Sequence, residues 1–68
     1  MVLKIKERRE ALGMSQTQLA DATSLSKATV SLFESGDRTP RVQTLEALAR
    51  ALKCRVADLL GEEVTEDV

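Results

Sequence analysis

At 68 residues the chain supports one domain around a modest core, and 43% hydrophobic against 31% charged residues fits a small helical globular domain and excludes a disordered chain. With no histidine and one cysteine, Cys54, neither a zinc site nor an internal disulfide can be assembled, so no metal and no cofactor is expected. The net charge of −1 hides an asymmetry: four of the eleven acids (Glu62, Glu63, Glu66, Asp67) fall in the last seven residues, which leaves residues 1–61 with ten bases against seven acids.

In residues 2–12, Ile5 and Leu12 lie seven apart on one helical face, and Gly13 suits a left-handed helix end. Ser15 followed by Gln18 is an S-x-x-Q capping box, predicting a second helix from Gln16 to about Ala22 with Leu19 and Ala22 turned inward. Thr23, Ser24 and Leu25 leave room only for a tight turn before Ser26, the next N-cap. Ala20 is small enough for the following helix to cross closely at that point. A third helix spans Ser26–Glu34 and is broken by Ser35-Gly36-Asp37.

The sole proline predicts the fourth helix: Thr39 as N-cap and Pro40 in the first helical position, where a missing amide hydrogen costs nothing. Val42, Leu45, Leu48, Ala49 and Leu52 then recur at spacings of three and four, the strongest helical stripe in the chain. A last short helix, VADLL, packs Val56, Leu59 and Leu60 before Gly61. The expectation is an all-α, compact five-helix domain over residues 1–61 and an acidic, flexible tail over 62–68. No stretch approaches the roughly 20 apolar residues of a membrane span, and residues 1–20 lack a signal peptide's apolar segment, so a cytoplasmic protein is expected.

The third helix raises the functional question. If Val30 and Phe33 face the core, the 100° step of a helix points Ala28 and Leu32 outward, with Lys27 the only charge beside them. Two short helices joined by a three-residue turn fit a helix-turn-helix. Together with Arg9, Gly13, Ser15-Gln16, Leu19-Ala20, Val30, Glu34, Gly36, Pro40 and the Leu45, Leu48, Leu52 stripe, residues 5–60 resemble the Cro and phage-repressor-like (XRE-type) helix-turn-helix family.

That resemblance implies a lambda-repressor-like domain without catalysis. It binds double-stranded DNA as a homodimer on two half-sites, with its third helix in the major groove. It assigns Lys27, Ala28, Ser31 and Leu32 to base reading, the lysine toward guanine and the apolar pair toward thymine methyls. Gln16, Arg38, Thr39 and Arg41 are assigned to phosphates, with Lys4, Lys6 and Arg8 tuning the field. Arg9 and Glu34 become an internal ion pair, and Cys54, Val56 and Leu59 the dimer contact. Ser24, Thr23 and Arg8 depart from the family pattern, as do Lys53 and Arg55, which leave the fifth helix poorly capped. Leu32 departs most, standing where a long polar residue is usual. The competing function is an antitoxin- or adaptor-like protein-interaction module that docks a partner on Ala28 and Leu32.

Overall fold

A computed structural model describes residues 3–60. Its elements, in chain order, are the helices α1 (Ile5–Ala11), α2 (Gln16–Thr23), α3 (Lys27–Ser35), α4 (Val42–Ala51) and α5 (Val56–Leu60), and no strand occurs among the described residues. Gly61 and the acidic segment 62–68 lie outside the described residues.

Helix α1 begins later than apolar spacing predicts, because Lys4 donates its amide across the fold to the Leu59 carbonyl at 2.8 Å. This bond ties the entry of α1 to the end of α5. At the other end Gly13 takes φ +71°, as expected for a left-handed close. Leu12 is 43% exposed, so the face it shares with the fully buried Ile5 does not stay inward along its length.

Both halves of the capping box at α2 are formed: Ser15 Oγ accepts the Gln18 amide at 3.0 Å, and Gln18 Oε1 accepts the Ser15 amide at 2.8 Å. The helix runs one residue past Ala22, and the Thr23 hydroxyl donates back to the Leu19 carbonyl at 2.8 Å. A hydroxyl thus serves where the family prefers an aliphatic side chain. Ala22, expected inward, is exposed; Leu19 and Ala20 carry the buried face instead.

Ser24 adopts the left-handed conformation (φ 61°, ψ 29°), so the turn keeps its geometry without a glycine. An L-residue pays roughly 1–2 kcal/mol there, part of which glycine gives back through its freer unfolded chain. Ser24→Gly is therefore expected to stabilise the domain by about 0.5–1 kcal/mol, a rise of a few degrees in melting temperature on a thermal scan. A lower melting temperature would mean that the turn is not strained.

Helix α3 is capped by Ser26, whose Oγ accepts the Thr29 amide at 3.1 Å, and it closes on Gly36 at φ +85°. The start of α4 corrects the sequence expectation. Thr39 does not cap it and Pro40 is not its first residue: Arg41 is the N-cap, with extended backbone (φ −74°, ψ 167°) and no side-chain capping bond. Pro40 is instead buried ahead of the helix, lining one recess with Leu25 and Phe33, and the residue before a proline disfavours the helical region.

Along α4 the stripe holds for Leu48, Ala49 and Leu52, which are buried, and half-holds for Leu45, but Val42 is 70% exposed at the helix mouth. Lys53 carries a positive φ of 59° after α4. The cap of α5 is better than its sequence suggests, since the Asp58 carboxylate accepts the Arg55 amide at 3.0 Å. The core is Ile5, Leu19, Ala20, Val30, Phe33, Leu48, Ala49, Leu52 and Leu59, contributed by all five helices. Ala20, 3% exposed, lies where α2 meets α3, and its carbonyl accepts the Leu25 amide at 2.9 Å.

Candidate nucleic-acid interface

With Val30 and Phe33 inside, α3 leaves Lys27, Ala28, Ser31 and Leu32 exposed. At 100° per residue these four positions share one arc of about 140°. The four residues expected to read bases therefore lie together on one outward face. Leu32 is 39% exposed, a large apolar side chain on a face whose only charge in the arc is Lys27.

The segment after α3 is held by its own backbone: the Asp37 and Arg38 amides both donate to the Leu32 carbonyl, at 3.0 and 3.2 Å. Ser35 Oγ donates to Asp37 Oδ2 at 2.9 Å, and Asp37 makes no ion pair with the arginine that follows. Arg38, Thr39 and Arg41 are exposed and, with Leu25, Phe33, Pro40 and Thr44, line an open recess of about 440 Å³. Helix α4 opens onto this recess with no acidic residue in its first turn and no side-chain cap, so its first amides, which have no intrahelical partners, have no capping side chain either. Among the described residues Lys27, Arg38 and Arg41 have no carboxylate within ion-pair distance. Unpaired cations beside the positive end of a helix dipole suit an anion.

Arg9 and Glu34 pair as expected. Nε to Oε2 is 2.7 Å and Nη2 to Oε1 is 3.2 Å, a two-pronged contact between side chains that are 10% and 5% exposed. Arg9 Nη1 also donates to the Met14 carbonyl at 2.7 Å. The hydrogen bond to Glu34 raises the Arg9 pKa above its already high ordinary value, against the opposing effect of burial, and the charges of Glu34 and Glu10 add to the rise. Arg9 therefore remains a cation at any pH at which the fold is studied.

Gln16 opens α2 half-buried, and its Nε2 donates to Glu34 Oε1 at 3.0 Å. The residue resemblance places against a phosphate is thus also tied inward to the ion pair. Sequence spacing carries no sign of this bond, because the two residues are 18 apart and on different helices. Of the three residues expected at a dimer contact, Cys54 and Val56 keep part of their surface. Leu59 does not: it is fully buried in the core, where α5 packs on α4, and offers nothing to a second copy.

No helix among the described residues is long and apolar enough to cross a membrane. Nor do the described residues hold a cluster of potential metal ligands.

Residues 5–59 match a family model described as Helix-turn-helix. The chain is similar to the cryptic phage CTXphi transcriptional repressor RstR of Vibrio cholerae, 33% identical over 69 residues that cover 96% of this chain and 62% of that protein. It is also similar to the immunity repressor protein of Bacillus phage phi105, 37% identical over 60 residues, covering 88% of this chain and 42% of that one. The chain spans less than two thirds of the length of both relatives. Among solved structures, SinR, the master regulator for biofilm formation, in complex with DNA matches with a TM-score of 0.79 and 33% identity over 84% of this chain and 92% of that one. A SinR–SinI complex matches at a TM-score of 0.81 and 32% identity, over 96% and 63% of the two chains.

Proposed function

Since the chain belongs to the Helix-turn-helix family, with repressors of phages among its relatives, we propose that it is a sequence-specific double-stranded DNA-binding transcriptional regulator. It acts as a repressor or autoregulator, in the cytoplasm, as a homodimer on two half-sites about one DNA turn apart. The observation that carries this reading is the exposed arc of α3 flanked by arginines of the α3–α4 loop that have no carboxylate partner among the described residues. An apolar reading face is compatible with DNA because thymine methyls need apolar partners, while affinity comes from phosphates contacted elsewhere.

In this reading Lys27 donates to guanine O6 and N7, Ala28 and Leu32 lie against thymine methyls, and Ser31 sits between them. Arg38, Thr39, Arg41 and the opening amides of α4 take one stretch of backbone, and Gln16 at the mouth of α2 takes another. The half-exposed surface around Cys54 and Val56 is the place for the second copy. That surface is modest, so the dimer is weak off DNA and occupancy follows protein concentration.

The roles separate by substitution. Selection of bound sites from random duplexes gives the preferred sequence and the half-site spacing. On that site Lys27→Ala is expected to relax preference at one base pair, at a cost of about 1–3 kcal/mol in discrimination. Arg41→Ala is expected to weaken all sequences alike and to lower the salt slope by about one. If Lys27→Ala binds every sequence as the native protein does, the reading face is misassigned.

One observation favours a second reading. Leu32 and Ala28 form an exposed apolar pair, and SinR has been solved with a protein partner, SinI. Docking of a partner protein on α3 would bury the same face, and its low sensitivity to salt distinguishes it from DNA.

A further inference from the structure

The bond from Gln16 to Glu34 has a use beyond holding helices together. Resting on the reading of Gln16 as a phosphate contact, we propose that Glu34 is a positioning residue for DNA: it presets the Gln16 amide at the mouth of α2, and Arg9 makes a carboxylate tolerable at that place.

A primary amide carries two donor hydrogens on one nitrogen. Gln16 Nε2 engages one with Glu34 Oε1 at 3.0 Å, and the other has no partner among the described residues. A glutamine side chain free to rotate loses that freedom when it grips a ligand, and a contact ordered in advance avoids the loss. Glu34 is itself rigid. Its side chain is 5% exposed, and Arg9 holds both of its oxygens. Arg9 is anchored in turn by the Met14 carbonyl, in the loop leading into α2. The chain of bonds runs from the α1–α2 loop through Arg9 and Glu34 to the first residue of α2.

Charge explains why the carboxylate comes paired. A lone anion directly behind a phosphate-facing amide would repel DNA. The two-pronged guanidinium cancels it while leaving Oε1 able to accept from Gln16. The alternative role for the bond is a strut between α2 and α3, which would affect stability without acting through Gln16 on DNA.

Removing only Glu34 would leave the buried Arg9 with no carboxylate among the described residues but the exposed Glu10, at 4.0 Å, so the test exchanges the pair together. Arg9→Met with Glu34→Met replaces a buried ion pair by apolar groups, a change that proteins often tolerate. The measurement is affinity for a mixed-sequence duplex at low salt, for the native protein, Gln16→Ala, the paired exchange and the triple variant, each verified as folded by circular dichroism. Gln16→Ala is expected to weaken binding about tenfold, the scale of one hydrogen bond to a charged group. The paired exchange is expected to weaken binding several-fold when residue 16 is glutamine and to change nothing when it is alanine.

If Gln16→Ala binds as the native protein does, the phosphate contact itself is wrong. If Gln16→Ala costs about tenfold in both backgrounds, the contact stands and positioning by Glu34 falls. Should the exchanged pair not fold, the native protein still decides by the side-chain amide resonances of Gln16. Added duplex is expected to shift one of the two Nε2 protons and to leave the Glu34-bonded one in place. Release of the bonded proton on binding would overturn the proposal.

Discussion

Between roughly 50 and 200 mM salt, affinity for duplex DNA is expected to fall about a thousandfold. Each phosphate neutralised releases condensed counterions, and the logarithm of the binding constant falls by about 0.9 per phosphate for each decade of salt. Arg38, Arg41 and one further cation from each of two copies reach about six phosphates, which gives a slope near −5. The structure supplies the necessary condition, since these arginines have no carboxylate partner among the described residues to compete with DNA. The net charge of −1 for the whole chain is no obstacle. Binding is set by charges within about a Debye length of the phosphates, roughly 8 Å at physiological salt, more than by the sum over the molecule. Anisotropy titrations of a labelled duplex at several salt concentrations measure the slope. A nearly flat dependence would remove DNA as the partner and favour a protein docked on Ala28 and Leu32.

The largest effect on stability is expected from Glu34→Ala: a loss of about 3–5 kcal/mol. In a small domain whose whole stability is roughly 5–15 kcal/mol, that loss lowers the melting temperature by about 15 °C or more. The substitution strips two hydrogen bonds from Arg9 and one from Gln16 at once. It also leaves a side chain that is 10% exposed with only the distant, exposed Glu10 carboxylate among the described residues, at 4.0 Å, to offset its charge. A lysine in that position could lose its proton; an arginine, whose ordinary pKa lies far above neutrality, gains no such relief. An unchanged melting temperature would refute the pairing. A large loss for Glu34→Ala beside a small one for the Arg9→Met, Glu34→Met exchange would show that the cost lies in the orphaned charge.

The two results are linked through α3. Its reading face is useful only if the helix is held at the right pitch, and its last turn is held by Glu34 while its first is capped by Ser26. Ala20 of α2 is buried in the core that α3 shares, and Gly36 lets the chain leave toward Arg38. Residues that lie off the outward arc, Glu34, Ser26, Ala20 and Gly36, thus decide where Lys27 and Leu32 point.

Much of this was legible in the chain itself because it is governed by local rules. Helix identity, the capping box at Ser15, the Ser26 cap and the breaks at Gly13 and Gly36 follow from dihedral preference and from hydrogen bonds within four residues. Apolar spacing also places Val30 and Phe33 inward, which by elimination leaves Lys27, Ala28, Ser31 and Leu32 outward. The Arg9–Glu34 pair came from family resemblance, since nothing local joins residues 25 apart.

Where local rules misled, a tertiary contact had overridden them. Pro40 has the credentials of a first helical residue, yet it is buried ahead of the helix, lining one recess with Leu25 and Phe33, and the cap falls on Arg41. Val42 continues the stripe by spacing, but the helix mouth opens to solvent and leaves it exposed. At Leu59 it was the resemblance that misled: it offers the residue to a second copy, whereas the packing of α5 encloses it completely, in keeping with the apolar spacing of VADLL. Sequence alone therefore determined which segments are helices, how most of them end and which side of α3 faces out, because backbone preference and hydrophobic period act over a few residues. Tertiary structure alone decided the entry to α4, the enclosure of Leu59 and the tether from Gln16 to Glu34, because those depend on which distant groups the packed helices bring within 3 Å of one another.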